Sequence, residues 1–458
     1  MLSTLVTRKN AKTLPIVVVD DASFPGWRKQ QGKAVQRWLD ASTFEPRGNR
    51  ASLIPGARGP KLALFGSKDA SPWAWAGAAQ RLPPGRYRLD TELEEAAATD
   101  AAIGWALSAY RFDRYKSEAA AAPRELVWPK AADRAEVARV VEAIGLARDL
   151  INTPAGDLGP AEVAETAKRL GAAHGAKVTV THGKRLEAGY PMIHAVGRGS
   201  ARGPRLIDLR WGSKDAPSVT LVGKGVVFDS GGLDLKNAAG MLRMKKDMGG
   251  AAIVLGLAKL IMDAELPVRL RVLVPTVENL PGADAYRPLD VLRSKHGKTV
   301  EISNTDAEGR LILADALAEA DAERPDLLID VATLTGSARL ALGAEISAFF
   351  TSDAKLAEAL ARAGRQTGDH VWRLPLHRAY RRHLDSRVAD LKNAASTSLG
   401  GAITAALFLS EFVEHAGSWL HLDVHAWNDG AKPGRPTGGE ATALRALWAM
   451  LRERAAAR

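Results

Sequence analysis

The chain has 458 residues, 63 basic and 52 acidic, and a net charge of +11. It contains no cysteine, which excludes disulfides, thiolate zinc sites and a cysteine nucleophile, so any metal must be held by oxygen or nitrogen. With 46% hydrophobic and 25% charged residues and no uninterrupted apolar run of spanning length, the composition argues for a soluble globular protein without a transmembrane segment, and the length implies two domains.

The opening MLSTLVTRKNAKTLP lacks the apolar stretch and small-residue cleavage site of an export signal, so a reducing, cytoplasmic setting is expected. "LPIVVVD" at 14–20 and "KLALFG" at 61–66 predict buried strands, and alanine-rich stretches between 74 and 109 predict helices, together a small α/β unit. Between Ser117 and Asp133 periodicity is lost in a run with two prolines and an alanine tract, which places a linker there and domains at 1–130 and 131–458. From Arg134 a helix resumes, with Val137, Val140, Val141, Ile144 and Ile151 on one face and "NTP" at 152–154 ending it.

Further on, strand-like runs alternate with helical ones. "KVTVT", "PRLIDLR", "SVTLVG", "VRLRVLVP", "DLLIDVA", "AEISAFF" and "WLHLDV" are interleaved with helices at 248–264 and 400–416. This alternation predicts a largely parallel or mixed sheet covered by helices on both faces, whose ligands sit at the carboxyl ends of the strands. No internal repeat is present, and the basic residues are scattered rather than interleaved with aromatics, so a solvated basic surface is expected in place of a nucleic-acid groove.

Two stretches stand apart. "SNTDAEGRL" at 303–311 sets Asp306 and Glu308 between the strand-like "TVEIS" and a helical run. "LVGKGVVFDSGGLDLKNAAGMLRMKKDMGGAA" at 221–252 carries Lys224, Asp229, Lys236 and Asp247 among paired glycines. Singly, such residues are solvated or turn residues. Together they offer four carboxylates on loops able to converge, and at about 4 Å two like charges repel by about 4 kcal/mol even at an effective dielectric near 20. Such a cluster needs protons or cations, and two divalent ions match four negative charges.

These residues carry a family resemblance. "NTDAEGRL", "VGKGVVFDSGGLDLK", "MKKDMGGAA" and "DVATLTGSA" resemble the leucine aminopeptidase (cytosol aminopeptidase) family, the two-metal exopeptidases of peptidase family M17, over roughly 134–458. "GWALSAYRFDRY" at 104–115 resembles the end of that family's N-terminal domain. The resemblance implies a small macro-like α/β domain followed by a larger catalytic α/β domain. It implies a tight metal site of Lys224, Asp229, Asp247 and Glu308, and an exchangeable one of Asp229, Asp306 and Glu308 with the Asp306 carbonyl. The ions would be Mn²⁺ or Zn²⁺, with Mg²⁺ an alternative, and a bridging hydroxide would attack the peptide. Lys236 and Arg310 would be the catalytic pair, Arg310 holding bicarbonate as general base beside Gly309 at the helix start, and Thr333, Leu334 and Gly336 would line the substrate's side.

The implied activity is release of leucine and other apolar N-terminal residues from peptides by a homohexamer. Its alternative is the same fold acting additionally as a DNA-binding regulatory protein. Met241, Met244 and Ala338 are candidates both for an apolar side-chain pocket and for plain core. "PLDV" at 288–291 and "HAWNDGAKPGRPTGGEA" at 425–441 depart from the family's usual text, without touching an implied ligand.

Overall fold

A computed structural model describes residues 1–47, 50–57, 59–66, 71–118 and 122–457. The chain divides into two compact units, one of Met1–Gly145 with Asn428–Thr437, the other of Leu146–Trp427 with Gly438–Arg458. It is a two-domain α/β architecture.

The first unit runs β1 (Leu5–Val6), β2 (Leu14–Val19), α1 (Phe24–Lys29), α2 (Lys33–Ala41), β3 (Arg50–Gly56), β4 (Gly59–Gly66), α3 (Pro72–Arg81), β5 (Gly85–Leu89), α4 (Glu95–Ser108) and β6 (Arg124–Val127). Its six strands order as β1-β6-β5-β2-β4-β3, all parallel except the β3–β4 hairpin. Ser71 caps α3 by accepting from Ala74 N, with Pro72 at the first helical position, where its missing N–H costs nothing. Gly104 is required because a β carbon there would meet Pro72 O at 2.0 Å, so α4 can approach the start of α3 only without a side chain. β6 lies inside the stretch read from sequence as linker. It pairs with β1 and β5, and its four residues are too short for a periodicity signal. Residues 119–121 of that stretch lie outside the described residues.

Helix α5 (Arg134–Asn152) is the one expected from sequence, with Val137, Val140, Val141, Ile144 and Ile151 all buried. The second unit continues α6 (Pro160–Ala173), β7 (Lys177–His182), α7 (Lys184–Gly189), α8 (Pro191–Gly197), β8 (Arg205–Trp211), β9 (Ser218–Gly223), β10 (Gly225–Asp229), α9 (Ala238–Met241), α10 (Gly249–Asp263), β11 (Arg269–Asn279), β12 (Val291–Arg293) and β13 (Thr299–Glu301). Then follow α11 (Gly309–Asp321), β14 (Leu327–Ala332), α12 (Gly336–Leu342), β15 (Ser347–Phe350), α13 (Ala354–Thr367), β16 (Val371–Arg373), β17 (Leu391–Lys392), α14 (Gly401–Ser410), β18 (Trp419–Asp423), β19 (Trp427–Asn428), β20 (Gly438–Gly439) and α15 (Leu444–Ala456).

The main sheet is mixed and orders as β16-β15-β18-β14-β9-β11-β8-β7, with β10 extending the far end of β11. β18, β14, β9 and β11 are mutually parallel and form its centre. Every residue of β9 and β14 is buried, which is why both read as mostly apolar rather than alternating stretches, even with Thr220 and Asp330 inside them. Among the described residues no helix is long and apolar enough to cross a membrane.

Two expectations change. "TVEIS" forms β13 in a separate three-stranded sheet, β12-β13-β17, so Asp306 and Glu308 do not follow a strand of the main sheet. The helix expected over 400–416 stops at Ser410, because the Asp321 carboxylate accepts hydrogen bonds from the amides of Glu414, His415 and Ala416 and holds them in a turn.

Candidate metal centre

The carboxyl ends of β9, β10, β14 and β18 converge with the β13–α11 loop on one cavity of about 660 Å³. β9 delivers Lys224, β10 ends on Asp229, the turn before α10 supplies Asp247, and Thr333–Gly336 follow β14. The loop after β13 brings in Asp306, Glu308 and Arg310. All five residues expected to ligate metal, with Lys236, Arg310, Thr333, Leu334 and Gly336, line this cavity. Gly309 does not line it, but packs against the Lys224 side chain.

Lys224 Nζ, 3% exposed, stands 2.8 Å from Asp247 Oδ2 and 2.8 Å from Glu308 Oε1, and donates to Thr333 O at 2.8 Å. Lys236 Nζ lies 2.9 Å from Asp229 Oδ2 and also contacts Asp306 Oδ1. Asp229 Oδ1 accepts from Gly231 N and Asn279 Nδ2, and Asp247 Oδ1 accepts from Thr333 Oγ1. Ligand atoms of Asp229, Asp306 and Glu308 fall within 4.8 Å of one another.

The electrostatics follow from burial. Burial, then the neighbouring Asp229, pushes the Asp306 carboxyl up to about 6 against the pull of Lys236, and the same pair of causes raises Glu308 well above the carboxylate range. For both lysines burial opposes the charge, yet the surrounding carboxylates outweigh it and raise each ammonium above its ordinary value. Burial pulls the Arg310 guanidinium down to about 10, with Glu308 and Asp423 opposing.

The residues fit divalent ions. Asp247 Oδ2 and Glu308 Oε1 are buried oxygens whose close partner is the Lys224 amine, 2.8 Å from each, and the donors are all hard oxygens apart from that amine. Arg310 suits an anion: Nη1 is tied to Asn393 O at 2.6 Å, while Nε is buried without a hydrogen-bond partner among the described residues.

Several supporting residues escape sequence reasoning. Asn393 Oδ1 accepts from Ser303 N and Asn304 N while its Nδ2 donates to Asn304 O, fixing the loop that carries Asp306. Tyr286 Oη and Asn279 Nδ2 both donate to Thr305 O. Asp423 accepts from Leu334 N, Thr335 N and Thr335 Oγ1 and so shapes the 333–336 loop. Of the pocket candidates, Met244 lines the cavity, whereas Ala338 packs in a core cluster with Ala348, Phe350, Ala402 and Ala406. Met241 is not among the lining residues. Lys246, 7% exposed, also lines the cavity, and burial lowers its pKa to about 8.

A carboxylate cluster bracketed by two lysines at the strand ends of an α/β domain defines a metallohydrolase centre. Comparison with known proteins names its kind: the chain belongs to the cytosol aminopeptidase family, whose catalytic-domain model matches residues 145–448, and the M17 aminopeptidase N-terminal domain matches 14–129. It is a metal-dependent aminopeptidase by family. It is 42% identical over 366 residues to a probable cytosol aminopeptidase of Rhodococcus jostii (strain RHA1), covering 76% of this chain and 72% of the relative. A probable cytosol aminopeptidase of Roseiflexus castenholzii (strain DSM 13941 / HLO8) is 41% identical over 383 residues, covering 80% and 78%. The crystal structure of the cytosol aminopeptidase from Coxiella burnetii superposes with a TM-score of 0.94 at 46% identity, covering 99% of both chains. The bottromycin maturation enzyme BotP in complex with Mn gives 0.86 at 37%, covering 97% of this chain and all of that one.

Proposed function

We propose that this chain removes the N-terminal residue of peptides with two divalent ions, Mn²⁺ or Zn²⁺ before Mg²⁺. Lys224, Asp229, Asp247 and Glu308 would hold one ion and Asp229, Asp306 and Glu308 the other. Bound there, the ions would supply Lewis acidity and an activated water. The observation that carries the reading is the meeting at one cavity of four carboxylates from three separate chain segments, two of them 2.8 Å from the Lys224 amine.

The chain's own groups divide the remaining work. Lys236, at the cavity wall, keeps its proton and stabilises the oxyanion that forms at the scissile carbonyl. Asp247 receives the substrate's α-amine. Arg310, oriented by Asn393 O, would hold bicarbonate as the proton acceptor, next to the first amides of α11. Lys224, surrounded by Asp247 and Glu308, must give up its proton to ligate, which a neighbouring dication favours.

A cytoplasmic homohexamer is the assembly carried over from the family, and light scattering that shows only monomer at working concentration would count against it. The resemblance implies leucine as the residue released, but Met244 and Leu334 share the cavity wall with the cations Lys246 and Arg339. The activity is tested with aminoacyl amides and their N-acetylated counterparts, before and after chelation and Mn²⁺ addition. Metal-dependent release from the free amines alone is expected, and hydrolysis of the acetylated substrates at the same rate would refute the role of Asp247.

A further inference from the structure

The cavity wall beside the carboxylate cluster carries an unexpected cation. Lys246 is 7% exposed, lines the cavity, and has neither a hydrogen bond nor an ion pair among the described residues. Burying an ammonium is costly where Asp247 and Asp423 act on it only through space and no direct ion pair forms, and a partner that arrives from outside would offset that cost. The carboxylates near it are already engaged. Asp247 is held by Lys224 and Thr333, and Asp423 by Leu334 N, Thr335 N and Thr335 Oγ1. Arg339, in the last turn of α12, lines the same cavity and likewise has no carboxylate partner among the described residues. Lys224 and Lys236, by contrast, each contact two carboxylates.

The position of Lys246 says which part of a substrate it meets. It directly precedes Asp247, and both line the cavity. In the proposed reading, on which this inference rests, Asp247 receives the α-amine. The carbon bearing that amine also bears the side chain of the residue to be released, so that side chain starts within the cavity that Lys246 and Arg339 line. We propose that Lys246, supported by Arg339, is the specificity-determining residue of this enzyme and receives a carboxylate-bearing side chain, so that N-terminal glutamate or aspartate is released in preference to leucine. Met244 and Leu334 then pack against the aliphatic stem of that side chain rather than setting the preference themselves.

A carboxylate in a substrate has a second source, the free C-terminus of a dipeptide, and amide substrates without one separate the two. The test measures kcat/KM of the Mn²⁺-loaded full-length protein on the coumarin amides of glutamate, aspartate, glutamine and leucine. The glutamate or aspartate amide should exceed the uncharged glutamine amide by at least about tenfold, and Lys246→Met should lower the acidic-to-leucine ratio by at least about tenfold, chiefly through KM. Calorimetry with free L-glutamate and L-glutamine provides a readout independent of turnover: glutamate should bind more tightly, and Lys246→Met should abolish the difference. A wild type that prefers glutamine or leucine, an acidic preference seen only on dipeptides, or a ratio that Lys246→Met moves by less than about twofold overturns the proposal. If no amide is cleaved while glutamate still binds through Lys246, the aminopeptidase reading fails and the acidic site stands.

Discussion

Gly309 faces Lys224 so closely that a β carbon on Gly309 would lie 2.6 Å from the lysine Nζ and 2.6 Å from its Cε. The first residue of α11 thus leaves room for the amine that the metal reading places between Asp247 and Glu308. Gly309→Ala should push Lys224 out of line while gaining about 1 kcal/mol of helix propensity, so folding survives. Metal affinity should fall by at least about tenfold, a loss of about 1.4 kcal/mol, and excess Mn²⁺ should restore part of the activity. Elemental analysis beside a melting curve checks this, and a variant with normal metal content would show that Lys224 is not a ligand.

The two lysines carry opposite tasks, and their variants should separate. Lys236→Ala should keep both ions and lose about 2–4 kcal/mol of transition-state stabilisation, seen in kcat. Lys224→Ala should instead lose the tighter ion. Metal content measured with kcat on both proteins decides the matter, and an ion-free Lys236→Ala would reverse the assignment.

Asn393 makes a different kind of contribution. Its amide satisfies two backbone N–H groups and one carbonyl of the partly buried 303–304 segment, and its own backbone carbonyl orients Arg310. Asn393→Ala should cost about 1–3 kcal/mol of stability through the orphaned groups and should lower kcat by loosening the Asp306 loop. Denaturant titration and kinetics read the two effects separately, and unchanged kcat in the folded variant would detach this residue from the site.

Some of this was legible in the sequence and some was not, for reasons that differ by residue. Lys224, Asp229, Asp247, Asp306 and Glu308 stand in short motifs whose turn chemistry and strand-to-helix context are local, and the structure brings all five to one cavity. The all-buried β9 and β14 announce themselves as apolar runs. Asn279, Asn393 and Asp423 are hidden in the sequence because each acts on backbone 26 to 90 residues away, a relation that no periodicity records. β6 is hidden within a linker-like stretch because four residues beside an alanine tract carry too little pattern. Ala338 could be either pocket or core until packing placed it in the core. Lys246 looked like one more charge in "MKKD", and only its burial and its place on the cavity wall single it out.

Arg148 and Glu440 form a buried pair, Nη2 to Oε1 at 3.0 Å with Nε and the second oxygen also engaged. Arg148→Ala should destabilise the fold by about 3–5 kcal/mol, because it removes the guanidinium that offsets a buried carboxylate's charge. Arg148→Met with Glu440→Leu should recover much of that loss. Urea denaturation of the three proteins measures it, and a single variant as stable as the wild type would contradict the account of the pair.

The central claim is that the cluster around Asp229 and Glu308 is a two-ion site that the reaction requires. It is tested most directly by stripping the protein with chelator, titrating Mn²⁺ back in a calorimeter, and following hydrolysis of an aminoacyl amide at each addition. The account predicts two ions per chain, no turnover in the stripped protein, recovery as the ions bind, and loss of both binding and recovery in Asp229→Asn and Glu308→Gln. Full turnover by the stripped protein, or two ions bound at normal affinity by those variants, would contradict it.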